Sequence, residues 1–251
     1  MLQALIFDVD GTLADTEMAH LAAFNHAFAE MGLDWHWDVP LYTRLLAVSG
    51  GKERIKAYWQ TLETQPKDIT GAGMQETIDH LHEIKTAAYE QAVQDGAVQM
   101  RPGVLALLSA ASAAGMRLAI ATTTSPVNIA ALLRQAIGPD WRLHFSVIED
   151  ASTAPRKKPD PMVYQQTLAR LSLPAHQCLA FEDSENGLRA AVAADISARV
   201  RYGGQTLFAA GGVWRLATGT VLRASYGEGF KAPTLFQLFS DYGNGALRPA
   251  P

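Results

Sequence analysis

The stretch FDVDGTLADTE at residues 7–17 places two carboxylates one residue apart, directly after a short apolar run. Residues 4–7 read as a buried strand that finishes at Asp8 and Asp10. A buried charge without a partner costs much free energy, so a buried strand that ends in two acids predicts that these acids bind something. At the carboxyl end of a strand in an α/β sheet, the usual user is a ligand or a metal ion.

The composition is that of an ordinary globular protein and argues against several partners. The chain has 251 residues, 48% of them hydrophobic, and a net charge of −4, which gives no general attraction to nucleic acid or to an anionic membrane. Cys178 is the only cysteine, which excludes an internal disulfide and fits a reducing compartment. The first residues lack the pattern of a signal peptide. We therefore expect a cytoplasmic monomer without a nucleic-acid or membrane partner.

Strand and helix patterns alternate through most of the chain, which predicts a parallel, doubly wound α/β sheet. Residues 16–31 have apolar residues at helical spacing, and residues 40–94 are helical in character and carry no strand signal. The remaining segments divide into predicted strands at 4–7, 117–121, 145–148 and 178–181 and predicted helices at 102–113, 127–137, 161–171 and 186–194. The predicted domains are a core of residues 1–15 and 95–198, a helical cap of residues 16–94 and a β-rich tail of residues 199–251.

Polar side chains collect where the predicted strands end. These candidates are Asp8 with Asp10, Thr122, Lys158, and Glu182 with Asp183. A carboxylate cluster needs a counter-charge, and Mg²⁺ is the hard cation that oxygen ligands usually hold in cells. A lysine and a hydroxyl beside it would hold an anion. The combination predicts a phosphoryl-transfer site.

These residues resemble the four motifs of the haloacid dehalogenase superfamily of phosphotransferases. Residues 8–17 match the first motif, Thr122 the second, Lys158 the third and residues 182–187 the fourth, in order and over roughly residues 1–195. The helical insert is similar to the cap of the β-phosphoglucomutase-like subfamily, and within it to CbbY-type sugar-bisphosphate phosphatases. The resemblance implies a Rossmann-like core with a helical cap.

The resemblance also implies a role for each motif residue. Asp8 would attack phosphorus and form an aspartyl-phosphate, while Asp10 would act first as general acid and then as general base. Thr122 and Lys158 would balance charge on the phosphoryl oxygens. The implied Mg²⁺ ligands are Asp8, Asp10 through its backbone carbonyl, Glu182 and Asp183. Two alternatives stay open for Glu182: it binds the metal directly, or it contacts the residues that bind the metal.

The expected substrate is a small phosphorylated sugar, with a sugar bisphosphate such as xylulose bisphosphate as the specific hypothesis. Lys52 and Arg54 could bind a second phosphate, with Lys85 as a weaker candidate, and the alternative for all three is a solvated surface charge. The full set of substrate-binding candidates is Glu17, His20, Gly51, Lys52, Arg54, Lys85 and Thr123. The main enzymatic alternative is a β-phosphoglucomutase.

Composition changes near residue 198. Residues 199–251 carry six basic and two acidic side chains and are rich in glycine and aromatic residues. Their alternating pattern predicts antiparallel strands at 205–213 and 214–226. Residues 199–246 resemble a barrel-strand fragment of TonB-dependent outer-membrane receptors.

We interpret this tail as part of a chimera, a fused or misassembled reading frame, without a function of its own. The alternatives are a genuine extension, a membrane-associated receptor fragment and a non-catalytic fusion product. Residues 196–202 could supply a missing edge strand, and an unfilled edge would favour aggregation.

Overall fold

The computed structural model describes residues 2–62 and 73–198, together with the backbone of residues 199–200, 209–215 and 221–225. A five-stranded parallel sheet has the order β3-β2-β1-β4-β5. The strands are β1 (Ala4–Phe7), β2 (Arg117–Ala121), β3 (Val147–Glu149), β4 (Cys178–Glu182) and β5 (Ser197–Val200). The chain builds the sheet outward on one side of β1 and then crosses to the other side, which places the carboxyl ends of β1 and β4 at a topological switch point.

Helices cover the sheet on both faces, as the α/β prediction requires. Alternate residues of β1 point to opposite sides: Leu5 and Phe7 join one buried cluster, while Ala4 and Ile6 join another. The helices are α1 (Glu17–Glu30), α2 (Val39–Leu45), α3 (Gly51–Trp59), α4 (Gly73–Gln94), α5 (Val104–Ala113), α6 (Pro126–Ile137), α7 (Met162–Leu171) and α8 (Glu185–Ala193).

Helices α1 to α4 have a core of their own. Aromatic rings of α1 pack against the connection between α1 and α2. The rings of Phe24 and Phe28 both contact the ring of Trp37, with centroid distances of 4.7 and 4.9 Å. The chain enters and leaves this helical part by two segments that run side by side. The amide of Asp15 donates to the carbonyl of Gln99, and the amide of Arg101 donates to Leu13. The domain boundaries drawn from sequence stay predictions.

Two elements of the core begin two residues later than predicted, while the other predicted core boundaries lie within one residue of the observed ones. The helix predicted from residue 102 begins at Val104, because Gly103 takes a left-handed conformation (φ 85°) just before it. The third strand is Val147–Glu149, not 145–148, since a short 3₁₀ turn at Trp141–His144 leads into it.

The segment proposed for the missing strand does pair with the sheet. β5 lies parallel to β4, with Leu179 opposite Ser197 and Glu182 opposite Val200. In the tail, β6 (Ala209–Arg215) and β7 (Val221–Ser225) form a separate antiparallel pair. β6 extends two residues past the predicted end of the first strand at residue 213, and β7 lies within the second predicted strand, 214–226. The rest of those two predicted strands lies outside the described residues. Among the described residues, none of the helices combines the length and apolarity needed to span a membrane.

Candidate active site

Lys158 connects three strands at the carboxyl edge of the sheet. Its ammonium donates to Asp8 Oδ1 at 2.8 Å, to the carbonyl of Ala121 at 2.8 Å and to Glu182 Oε1 at 2.6 Å. These acceptors stand after β1, at the end of β2 and at the end of β4, and Lys158 is 5% exposed. An ammonium has three N–H donors, so each has an acceptor here. Of the two adjacent lysines, Lys158 is the one that reaches the acids.

Charge in this cluster is unbalanced towards the negative. Burial raises the pKa of Glu182 to about 7, although the Lys158 charge opposes the shift. Burial, together with the charges of Asp8 and Glu182, raises the pKa of Asp183 well above its usual range. Burial likewise raises the pKa of Asp8, against the lowering effect of Lys158. One ammonium is too little positive charge for three carboxylates, so the cluster favours an added cation.

The same three carboxylates can surround a metal ion. Asp8, Glu182 and Asp183 each offer an oxygen, and these oxygens lie within 4.8 Å of one another. Glu182 Oε2 is buried and has no hydrogen-bond partner among the described residues. A site of carboxylate oxygens suits Mg²⁺ or another hard divalent cation, and the charge of such an ion would offset the excess. The residues present therefore fit the group that the family pattern implies.

Two glycines make room for these acids. A Cβ on Gly11 would stand 2.0 Å from Asp183 Oδ2, and a Cβ on Gly187 would stand 1.8 Å from Glu182 Oε2. Gly11 also has a φ of +72°, which side chains rarely adopt. The carboxylates can occupy their positions only because these two residues lack side chains.

The second acid, Asp10, is hydrogen-bonded to a chain of two side chains, His20 and Lys85, that come from helices α1 and α4. His20 Nε2 lies 2.9 Å from Asp10 Oδ1, and Lys85 Nζ lies 2.8 Å from His20 Nδ1. An ammonium can only donate, so Nδ1 accepts and the ring donates its Nε2 proton to Asp10. Burial and the Lys85 charge lower the pKa of His20, which keeps the ring neutral. The ring also stacks on Tyr89, with 4.1 Å between centroids.

Asp10 is ionised in this arrangement. Burial alone would raise its pKa, but His20 and Lys85, with the hydroxyl of Thr124, hold the pKa of Asp10 well below its usual range. Asp8 and Asp10 thus have different environments: one is tied to a lysine among acids, and the other to a neutral imidazole. Two carboxylates with separated environments can take separate chemical roles.

Thr122 lies at the end of β2 beside Asp8. It is 2% exposed, and its hydroxyl forms a hydrogen bond with Asp8 that lowers the pKa of that acid. Its Oγ1 also accepts from the amide of Thr124 at 3.3 Å. The structure therefore brings Asp8, Asp10, Thr122, Lys158, Glu182, Asp183, His20 and Lys85 into one connected site. Thr123, the next residue after Thr122, is partly buried.

Other substrate-binding candidates have partners within the helical part. Arg54 donates to the carbonyls of Leu45 and Val48 and to the hydroxyl of Tyr42, which also donates to Glu17 at 2.9 Å. Lys52 is half exposed and pairs with Asp79 at 2.6 Å.

The remaining candidate in this group, Gly51, lies against a histidine of α4. A Cβ on Gly51 would come within 2.7 Å of His82 Nε2. The structure thus gives Gly51 a packing contact, and Arg54 and Lys85 internal partners, while the assignment of these residues to substrate stays a prediction.

Two residues at the site were not among the candidates predicted from the sequence, namely Tyr164 and Asn186. Tyr164, on α7, donates its hydroxyl to Glu182 Oε1. Asn186, at the start of α8, reaches across to the helical part and donates to the carbonyl of Ala47 at 2.9 Å and to Ser49 Oγ at 3.2 Å. Asn186 lies within the fourth motif, three residues after Asp183, and that position is the one sequence feature that could have pointed to it.

Comparison with protein families agrees with this site. The family model for haloacid dehalogenase-like hydrolases matches residues 2–195, which is more than half of the chain. The chain therefore belongs to the haloacid dehalogenase-like hydrolase family and is an enzyme of the phosphatase type. The predicted family and fold class are confirmed. A second family model, described as TonB dependent receptor-like, beta-barrel, matches residues 181–250 and overlaps the first at β4 and α8.

The individual relatives that this chain matches include CbbY proteins. It is 58% identical over 195 residues to "Protein CbbY, plasmid" of Cupriavidus necator, covering 78% of this chain and 76% of that protein. The crystal structure of CbbY from Rhodobacter sphaeroides in complex with phosphate superposes with a TM-score of 0.75 at 41% identity, over 81% of this chain and 87% of that one. A mutant of that protein, crystallised in complex with xylulose-(1,5)bisphosphate, gives the same TM-score at 40% identity and the same coverage.

Proposed function

We propose that this protein is a Mg²⁺-dependent phosphatase that hydrolyses a phosphorylated sugar, with xylulose bisphosphate as the specific candidate. The observation that carries the proposal is the Lys158 ammonium between Asp8 and Glu182, with Asp10 held separately by His20. The complex of the 40% identical protein with xylulose-(1,5)bisphosphate supports the choice of substrate. Phosphate hydrolysis, rather than the mutase reaction, is favoured by the match to the family model for haloacid dehalogenase-like hydrolases.

In the first step, a carboxylate oxygen of Asp8 attacks phosphorus, and the bond from phosphorus to the sugar oxygen breaks. Lys158 and Thr122 both contact Asp8, so they can hold the nucleophile and also neutralise charge on the phosphoryl oxygens as it develops. The leaving sugar oxygen takes a proton from Asp10. The product on the enzyme is an aspartyl-phosphate at Asp8, which divides one difficult displacement into two.

In the second step, water attacks the phosphorus of the aspartyl-phosphate, and Asp10 accepts the proton of that water. The low pKa of Asp10 keeps the carboxylate ionised and able to accept a proton, and negative phosphoryl charge beside it raises that pKa and so strengthens it as a base. As an acid, Asp10 must first be protonated, and a phosphate dianion bound beside it raises its pKa by like-charge repulsion. His20, which donates to Asp10, keeps the carboxylate oriented in both steps.

Asp8, Asp183 and Glu182 would hold the Mg²⁺ ion, with the backbone carbonyl of Asp10 as a further ligand. When bound, the ion supplies Lewis-acid stabilisation of phosphoryl charge. Because Lys158 and Tyr164 both donate to Glu182 Oε1, only Glu182 Oε2 is left for a cation or for water on it. We propose that the Ser49–Arg54 segment, which Asn186 holds against the core through Ser49, takes part in substrate recognition. We also propose that the enzyme is cytoplasmic.

Replacement of the nucleophile tests the reaction. Asp8→Asn should abolish phosphate release, by at least about a thousandfold, because an amide cannot form the aspartyl-phosphate. The measurement is release of inorganic phosphate from a panel of sugar mono- and bisphosphates, with and without Mg²⁺. Asp195→Asn, which makes the same change at an exposed turn, serves as the control. Retained hydrolysis in Asp8→Asn would exclude Asp8 as the nucleophile, and an isomerised sugar phosphate as the product would favour a mutase.

A further inference from the structure

Tyr164 lies behind the site, on α7, six residues after Lys158. Its side chain is completely buried. Its hydroxyl donates to Glu182 Oε1, and its ring lies 5.3 Å from the Lys158 ammonium. A buried tyrosine hydroxyl must find an acceptor to offset its desolvation, whereas a phenylalanine would fill the same space without that requirement. The hydroxyl therefore calls for an explanation beyond packing.

The contacts of Glu182 explain what that hydroxyl does. Glu182 Oε1 accepts from Lys158 and from Tyr164, and Glu182 Oε2 has no hydrogen-bond partner among the described residues. Without the tyrosine hydroxyl, Lys158 would be the one remaining hydrogen-bond partner of this carboxylate in the described part of the chain. Glu182 would then be free to turn and to carry the ammonium away from the nucleophile.

Lys158 has little tolerance for such a shift. Its position is fixed by three acceptors, and the contact that matters for chemistry is the one to Asp8 Oδ1 at 2.8 Å. Displacement of a catalytic group by about 1 Å can lower a rate by about a hundredfold. A fixed Glu182 thus keeps the ammonium against the nucleophile.

We propose that Tyr164 is a positioning residue for phosphoryl transfer: its hydroxyl fixes Glu182, and Glu182 in turn fixes the Lys158 ammonium against Asp8. This inference rests on the proposed phosphatase function and adds a residue to it. Tyr164 does not touch the transferred group, since its partners are Glu182 and Lys158. Its effect is therefore expected in the rate of the chemical step and not in substrate binding.

The test is Tyr164→Phe in the full-length chain, which keeps the ring and removes only the hydroxyl. With p-nitrophenyl phosphate and with the best sugar phosphate, kcat should fall about ten- to a hundredfold, while KM stays within about twofold. The melting temperature should change little. The control is Tyr58→Phe, which removes a phenolic hydroxyl from a tyrosine of α3 that packs against Trp35 and Trp37.

A double-mutant cycle identifies the route of the effect. If Tyr164 acts through Glu182, Tyr164→Phe should lower kcat little further in a Glu182→Gln background, so the two losses do not multiply. Multiplied losses, an unchanged kcat in Tyr164→Phe, or a kcat restored by a tenfold excess of Mg²⁺ would each overturn the inference, the last because the hydroxyl would then serve the metal. A wild-type chain that releases no phosphate from any substrate would instead contradict the proposed function itself.

Discussion

At the scale of single residues, the geometry of the site depends on side chains that are absent. Gly11 lies in the turn after β1, with a left-handed φ, and its missing Cβ leaves space for Asp183 Oδ2. Gly187, on α8, likewise lacks a Cβ and so leaves space for Glu182 Oε2. Glu182 and Asp183 come from the end of β4 and the loop after it. The turn after β1 and the start of α8 must therefore have glycine where these two carboxylates lie.

Gly11→Ala tests this dependence. The new methyl group would overlap Asp183, so we expect loss of Mg²⁺ affinity and a fall in kcat of about a hundredfold or more. Gly96→Ala is the matched control, because Gly96 has a similar φ of +80° and nothing within 4 Å of an added Cβ. Both variants carry backbone strain of about 1 kcal/mol. Equal effects of the two on Mg²⁺ binding, measured by calorimetry, would contradict the steric role of Gly11.

The sequence predicts the residues that stand at strand ends better than those on helices. Asp8, Lys158 and Asp183 follow from acids and a lysine placed after apolar runs, because parallel strands end at one edge of a sheet. The sequence also predicts Arg54 and Lys85 as phosphate-binding cations. It does not predict their observed partners, which are the carbonyls of Leu45 and Val48 for Arg54 and the ring of His20 for Lys85, because those contacts depend on how the helices pack together. Tyr164 shows no signal at all, since a tyrosine on an amphipathic helix reads as ordinary core.

At the scale of elements, α1 and α4 enclose an ammonium. Lys85 on α4 is 4% exposed and contacts His20 on α1, and its ring neighbours Phe24 and Tyr89 lie 5.1 Å from Nζ. Burial lowers the pKa of Lys85 to about 8, against the opposing charge of Asp10. The helix pair thus holds a cation whose protonation differs between the folded and the unfolded chain.

This difference predicts a pH dependence of stability. Between about pH 8 and pH 10.5 the unfolded chain keeps a proton on Lys85 that the folded chain has lost, so the free energy of unfolding rises with pH in this window. Lys85→Met removes the effect. The stability of wild type relative to Lys85→Met should increase across the window by on the order of 3 kcal/mol, measured by denaturant unfolding. A difference that stays constant with pH would contradict the buried ammonium, and Lys52→Met, at a half-exposed lysine, serves as the control.

At the scale of the whole molecule, the sheet is completed by residues beyond the family match. The hydrolase family model ends at residue 195, and β5 begins at Ser197. Ile196 and Ala198 are buried in the cluster on one face of the sheet. The predicted change of origin near residue 198 therefore falls inside an element that β4 needs as its neighbour.

Truncation separates the need for β5 from the need for the tail. A chain that ends after residue 202 keeps β5, so its melting temperature should stay within about 3 °C of the full chain and its phosphatase activity should persist. A chain that ends after residue 195 leaves the edge of β4 unpaired, so it should melt lower and aggregate. Thermal melting and light scattering measure both. Equal losses in the two truncations would show that residues after 202 contribute to the folded enzyme.

The pairing of β5 also has a consequence for how such a chain can arise. A parallel edge strand is joined through backbone groups that every residue except proline supplies, so its sequence requirement is limited to an extended stretch with small or apolar residues facing inward. The position after α8 therefore tolerates many sequences, because an unrelated segment translated in frame can still form the edge strand of the sheet. A fusion at this point, which the change in composition predicts, would leave all the proposed catalytic residues upstream of the junction.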